Sequence, residues 1–368
     1  MNPSHDPESP SANPFLAGDA ENRPLTLIHP LHGTPALPQS WPQPVSQPEW
    51  PQPAWAQPVS PQPVSPQPWE YVVRDPYLLA EPREREFTTR KVLWHLFLLA
   101  MTGVTTTAIG TLLFTVSFAD LTAGLLSGML FSMTLLSILG AHEMGHYIAC
   151  RWYGVQATLP YFIPSPIGIG TFGAFIKIKS PIPDKKSLFD IGIAGPLAGF
   201  VFALPAAFIA LYFAQSLPAE AITEGTISFN DPPLFRLFAW ALQLPRDLSL
   251  NPVYLAAWVG MLVTSLNLLP VGQLDGGHVV FAIFGERGHR KIALVIWLCV
   301  LGLAVHSVIA DAWKGWVLYA ILLTLMLRVG HPRLVDEYAP LGLERKIVGF
   351  IGLMVFLLCF NPFPISFM

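Results

Sequence analysis

Long apolar runs, separated by short polar or Gly- and Pro-rich segments, fill the chain from about residue 92 onward. A helix of about 20 apolar residues crosses the hydrocarbon core of a bilayer. By this measure the pattern predicts spans at 92–117, 121–152, 187–214, 252–282, 291–310, 314–330 and 346–366, of which the sixth is the shortest. The expected fold class is an α-helical integral membrane protein with six or seven transmembrane helices.

Residues 153–186 interrupt this pattern, because they are rich in Gly and Pro yet too apolar for an ordinary loop. Between Phe172 and Lys179 the side chains alternate with the period of two that is typical of a strand. Irregular or extended backbone at membrane depth is tolerated only against protein or beside a water-filled cavity. We therefore expect a small re-entrant β-hairpin in this segment, with one edge strand unpaired.

The first part of the chain has a different composition, in which Pro-Gln-Pro recurs between Trp41 and Trp69. Such a sequence forms neither a helix nor a strand, so residues 1–82 are predicted to be a disordered, polyproline-prone cytoplasmic tail. We favour a solvated spacer. The alternative is a docking site for a proline-recognition partner, with tryptophans as anchors. No basic region followed by an apolar core opens the chain, so we expect no cleavable signal peptide.

Composition supports the membrane assignment and excludes several classes of protein. The 368 residues are 52% hydrophobic and 12% charged, whereas a soluble domain has roughly 25% charged residues. With a net charge of -3 and scattered cations, no nucleic-acid partner is expected. Cys150, Cys299 and Cys359 are widely spaced, so they form neither a disulfide framework nor a Cys-x-x-Cys zinc site.

The distribution of cations predicts the orientation of the chain in the membrane. If the tail is cytoplasmic, most of the 21 Lys and Arg residues fall in segments on the same side. Because cytoplasmic loops are enriched in these residues, the N-terminus is expected in the cytoplasm. The same pattern, together with the lack of a recognisable targeting segment, favours a bacterial cytoplasmic membrane, with an organelle membrane as the alternative.

The motif with the clearest chemistry is His142-Glu143-Met144-Gly145-His146, which lies within the second predicted span. On a helix the two histidines project from one face a turn apart, so both can bind one zinc ion. Glu143 is then placed to accept a proton from metal-bound water. Ionisable residues at membrane depth are costly and usually functional, which predicts a hydrolytic zinc site with Glu143 as the general base.

A catalytic zinc takes three protein ligands, so the two histidines leave the site incomplete. The stretch from Asn267 to His278 contains one carboxylate, Asp275, near the predicted cytoplasmic end of the fourth span. Two successive helices of opposite direction can bring Asp275 against the histidines. His278, three residues further on, is the alternative third ligand.

Together these motifs resemble the site-2 protease family of intramembrane zinc metalloproteases. The shared features are His-Glu-x-x-His, Asn-x-x-Pro with Leu-Asp-Gly at 267–276, and the Gly-Pro-x-x-Gly of residues 195–199. The resemblance covers roughly residues 90–285, and no PDZ insertion or nucleotide-sensing domain is recognisable. It implies one zinc per chain bound by His142, His146 and Asp275, with Glu143 as the catalytic carboxylate and Asn267 holding an extended substrate. It also suggests a core protease domain at 83–285, followed by additional C-terminal helices at 286–368.

The expected reaction is hydrolysis of peptide bonds within or near the transmembrane segments of other membrane proteins. A substrate helix must unwind before it is cut, and the edge formed by Phe172, Gly173, Ala174 and Phe175 can hold the unwound segment by strand addition. The partners are then a transmembrane protein substrate and the lipid bilayer. Three other functions remain open: a membrane metal transporter, an iron(II) oxygenase with two His and one carboxylate ligand, and a catalytically silent scaffold.

Overall fold

The computed structural model describes residues 88–115, 120–216, 227–245, 248–310, 312–329, 334, 336 and 340–367. All of them belong to the second of the two units of the chain, Leu79–Met368. The predicted tail at 1–82 lies outside the described residues. The helices are α1 Thr89–Phe114, α2 Leu121–Trp152, α3 Lys185–Tyr212, α4 Pro233–Ala241, α5 Pro252–Asn267, α6 Asp275–Ile309, α7 Gly315–Val329 and α8 Leu343–Cys359. The strands are β1 Tyr161–Pro164, β2 Thr171–Phe175, β3 Ile227–Phe229 and β4 Ile365–Phe367.

Four of these helices, α1, α2, α3 and α6, are long and apolar enough to cross a membrane. Large apolar side chains are exposed along them, including Leu112 of α1 and Val201 of α3, as expected for surfaces that face lipid. Helix α2 lies at the centre of the fold and packs against α1, α3 and α5. The prediction of a mostly helical integral membrane protein is therefore confirmed.

The fourth predicted span, 252–282, is wrong. Helix α5 ends at Asn267 and α6 begins at Asp275. These two predicted site residues therefore lie on different helices and not on one span. The apolar run conceals this break, but Pro270 cannot donate the hydrogen bond that a continuing helix needs. Gly272 then turns the chain with a φ of +57°. The fifth span, predicted at 291–310, likewise begins earlier, at Asp275, and has non-helical backbone at Gly285.

Helix α7 holds the segment between α5 and α6 in place. The Tyr319 hydroxyl donates a hydrogen bond of 2.7 Å to the carbonyl of Leu266, at the end of α5. At Gly272 a Cβ atom would lie 2.8 Å from the Cβ of Met326, so the turn packs directly against α7. The position of Asp275 therefore depends on α7 as well as on its own helix.

The predicted hairpin is confirmed. Strands β1 and β2 pair antiparallel, with Tyr161 opposite Phe175 and Phe162 opposite Ala174. The pairing continues beyond β2, since Thr158 N donates to Lys177 O at 3.0 Å and Lys179 N donates to Gln156 O at 2.7 Å. Within the described part of the chain this sheet has two strands. A second pair, β3 with β4, was not predicted and joins the segment after α3 to the segment after α8.

Candidate metal centre

Three side chains from two helices converge at the cytoplasmic end that the sequence predicts for α2. His142 Nε2 lies 3.1 Å from Asp275 Oδ2, and His146 Nε2 lies 3.3 Å from Asp275 Oδ1. The two Nε2 atoms are 3.2 Å apart. Around zinc, tetrahedral ligands at 2.0–2.1 Å are separated from one another by about 3.3 to 3.4 Å. The donor set and its spacing therefore fit one zinc ion.

The orientation of His146 is fixed by a main-chain carbonyl. Its Nδ1 lies 2.7 Å from Ile191 O, in α3. A carbonyl can only accept, so Nδ1 carries the hydrogen and Nε2 presents its lone pair to the cluster. Metal-binding histidines usually have such a partner, which sets the tautomer and the ring orientation. Sequence reasoning missed Ile191, because an apolar residue that acts through its backbone leaves no signal in the sequence.

Helix α3 reaches the histidines because it has glycines where it faces α2. A Cβ atom at Gly195 would lie 2.1 Å from His146 Nε2, and one at Gly199 would lie 3.2 Å from the Cβ of His142. On α2, a Cβ at Gly145 would lie 2.4 Å from the Ala194 carbonyl oxygen. The Gly-Pro-x-x-Gly stretch, which was noted above only as part of the family resemblance, thus forms a wall of the centre.

We expect Gly195→Ala to weaken zinc binding strongly, because its methyl group occupies space that the His146 imidazole fills. Displacing a ligand that is held within a few tenths of an ångström disrupts the coordination geometry. Zinc retained after dialysis against a chelator measures the effect. Gly302→Ala is the matched control, since a Cβ there meets nothing within 4 Å. Equal zinc retention by the two variants would contradict this account.

Glu143 is buried beside the two histidines and lines the same cavity, which has a volume of about 300 Å³. Ile176, just after β2, lines the same cavity. The Glu143 carboxylate therefore shares this cavity with both the metal cluster and the edge of the hairpin. A water or peptide in the cavity would lie within reach of both.

The structure places the other predicted site residues at different distances from the cluster. Asn267 Nδ2 lies 3.4 Å from His142 Nε2, and Asn267 lines the cavity together with Ala174 and Phe175. Phe172 is 68% exposed, and neither it nor Gly173 lines the cavity. His278 lines the cavity but is not among the three residues whose ligand atoms lie within 4.8 Å of one another. The substrate-binding roles stay predictions.

Comparison with known proteins adds independent information. Residues 130–305 match the model of Peptidase family M50. The chain is 30% identical over 234 residues to "Probable zinc metalloprotease EGY2, chloroplastic" of Arabidopsis thaliana, covering 62% of this chain and 41% of the relative. It is 31% identical over 252 residues to the protein of the same name in Oryza sativa subsp. indica, covering 65% and 44%. The chain thus spans less than half the length of these relatives.

Among solved structures, the chain is similar to a "Site-2 Protease from Methanocaldococcus jannaschii", with a TM-score of 0.35 and 17% sequence identity. The match covers 67% of this chain and 93% of that chain. The matched family region, 130–305, contains His142, Glu143, His146 and Asp275.

Proposed function

Because residues 130–305 match the model of Peptidase family M50, we propose that this membrane protein is a zinc metalloendopeptidase of the site-2 protease type. It hydrolyses peptide bonds within or near the transmembrane segments of other membrane proteins. The observation that carries the proposal is the convergence of His142, His146 and Asp275 beside Glu143, in one cavity at the end of a membrane helix.

His142, His146 and Asp275 hold one zinc ion in this proposal. A zinc ion held there would lower the pKa of its bound water to about 7 and would polarise the scissile carbonyl. Glu143 accepts the proton of the attacking water and transfers it to the leaving amine, as a general acid and base must. The Ile191 carbonyl keeps the His146 ring in the tautomer that binds metal. Gly195 of α3 packs directly against the same ring and restricts its rotation.

The hairpin supplies the surface on which a substrate is held. The main-chain groups of Lys177 and Lys179 bond to residues 156–158 on one side. Main-chain groups alternate in direction along a strand, so the N–H and C=O of Ile178 point to the opposite, open edge. Ile176 and Ile178 line the cavity. An unwound substrate segment that adds to this edge runs past Glu143, and Asn267 contacts it from the other side.

Substituting Ile178→Pro tests strand addition, because proline removes the N–H that points to the open edge. The side chain of Ile178 also packs in a small apolar cluster with Cys150 and Val155, so Ile178→Ala is the control that loses packing but keeps the N–H. We expect Ile178→Pro to raise KM for a single-span substrate several-fold above the value of Ile178→Ala, since one net hydrogen bond contributes about 1 kcal/mol. Equal KM values in the two variants would argue against strand addition at this residue.

The competing functions make different predictions. A metal transporter needs ligands at several depths along a path, whereas in the described residues the candidate ligands form one group. An iron(II) oxygenase has no use for the carboxylate of Glu143 beside the metal. A silent scaffold has no reason to keep the ligand geometry intact.

The proposal is tested by incubating the purified protein in detergent with single-span membrane substrates, before and after zinc removal. We expect cleavage that stops with a chelator and returns with zinc. No cleavage of any substrate, together with metal uptake by proteoliposomes that contain the protein, would favour the transporter.

The placement in the membrane is part of the same proposal. Helix α5 forms the first part of one predicted span, and α7 and α8 overlap two others. We propose that these three helices complete six or seven membrane crossings with the N-terminus in the cytoplasm. The tail at 1–82 is proposed as a spacer, with a proline-recognition partner as its alternative role. A bacterial cytoplasmic membrane is proposed on the charge distribution alone, whereas the relatives above are named as chloroplastic proteins.

A further inference from the structure

Three helices meet at a charged cluster next to the metal centre. Arg345, in the first turn of α8, donates from Nη2 to Asp190 Oδ2 at 2.7 Å and from Nε to both carboxylate oxygens at 3.1 Å. Asp190 lies in α3 and also accepts a hydrogen bond from the hydroxyl of Tyr153, the residue that caps α2. Arg345 Nη2 lies 3.2 Å from the same hydroxyl.

The chemistry of this cluster favours a fixed geometry. The planar guanidinium matches the two oxygens of a carboxylate, which gives such pairs directional precision as well as charge attraction. Arg345 and Asp190 are each about three-quarters buried, with side-chain exposures of 25% and 28%. Burial and the neighbouring Asp190 carboxylate raise the pKa of the Tyr153 phenol, so it keeps its proton and donates.

Asp190 immediately precedes Ile191, whose carbonyl fixes the tautomer of His146. Helix α8 also packs on α3 on both sides of this residue. A Cβ at Gly349 would lie 3.4 Å from the ring of Phe189, and one at Gly352 would lie 2.5 Å from Ile193. The first three turns of α8 thus hold the turn of α3 that contains the Ile191 carbonyl.

We propose that Arg345 is a positioning residue of the metal centre, which acts through Asp190 and the Ile191 carbonyl on the His146 imidazole. This inference rests on the proposed function, because it presumes that His146 binds zinc. Arg345 lies outside the family match at 130–305, so the contribution comes from a part of the chain that the family model does not cover.

Zinc affinity, measured by competition with a chelator in the purified full-length protein, tests the role of Arg345. We expect Arg345→Met to weaken zinc binding about tenfold, the lower end of the range for loss of a partner of a metal-binding histidine. Lys346→Met is the matched control, since it removes a cation from the next residue, which is exposed. We expect it to bind zinc like the wild type. A purely structural salt bridge would lower the melting temperature of the zinc-free protein without changing its zinc affinity.

If the Arg345→Met protein is too unstable to purify, two milder substitutions test the same positioning role. Arg345→Lys keeps the charge but loses the two-pronged contact, and Tyr153→Phe removes only the hydroxyl; each is expected to weaken zinc binding two- to fivefold. Wild-type zinc affinity in all the Arg345 and Tyr153 variants, with loss of zinc in His146→Ala, would overturn the positioning role alone. Wild-type zinc affinity in His146→Ala would instead overturn the metal centre on which the proposed function depends.

Discussion

Purified Asp275→Asn protein is expected to lose its zinc and, with it, all measurable cleavage of single-span substrates. Both oxygens of the Asp275 carboxylate face the histidines, at 3.1 and 3.3 Å. The amide of asparagine keeps the shape but is neutral and a weaker ligand. Loss of a hydrogen-bonding partner of a ligand already costs 10- to 100-fold in metal affinity, so loss of the ligand itself should exceed about 100-fold. Metal content after gel filtration and chelator competition measure the change.

Glu286→Gln is the control for this substitution, because it neutralises an exposed carboxylate in the same helix, α6. It should leave zinc binding and cleavage unchanged. Full zinc occupancy in Asp275→Asn, combined with loss of zinc in His278→Ala, would show that His278 is the third ligand. His278 lines the same cavity, so this alternative has a clear structural basis.

Glu143→Gln is expected to abolish most of the proteolysis while the protein keeps its zinc. Glutamine fills the same buried space but cannot accept a proton. A positioned general base contributes about 10²- to 10⁴-fold to the rate, which corresponds to roughly 3 to 5 kcal/mol of transition-state stabilisation. The rate of single-span substrate cleavage, together with zinc content, measures both parts of the expectation.

The comparison between Glu143→Gln and His142→Ala separates catalysis from metal binding. The histidine variant should lose zinc and activity together, whereas the glutamine variant should lose activity alone. Cleavage by Glu143→Gln at the wild-type rate would overturn the proposed role of Glu143 and, with it, the proposed mechanism.

Much of the centre could be predicted from local sequence, because its main signals are periodic. The i, i+4 spacing of His142 and His146 places both rings on one helix face, and in the structure their Nε2 atoms are 3.2 Å apart. Alternating side chains in a Gly- and Pro-rich segment predicted the hairpin. Asp275 stood out as a carboxylate in an apolar stretch. The structure brings it to the histidines from the start of α6, not from the end of a fourth span.

The remaining features depend on contacts between distant parts of the chain. The sequence around Gly195 does not show that this residue packs against His146, since glycine is also common in turns and helix caps. Arg345 and Asp190 are 155 residues apart, and positive-inside counting treats such an arginine as one more interfacial cation. The break between α5 and α6 was hidden because hydropathy averages over Pro270 and Gly272, whereas backbone geometry is decided by single residues.

The contacts of α7 with the turn before Asp275 matter for the choice of boundaries in expression work. A truncated protein that stopped at residue 305, where the family match ends, would contain every proposed ligand. It would lack Tyr319 and Met326, which hold the main chain at Leu266 and Gly272. The turn before the acidic ligand would then lose its packing against α7. Sequences intended for crystallisation or assay should therefore include α7 and, to keep Arg345, should extend through the end of α8 at Cys359.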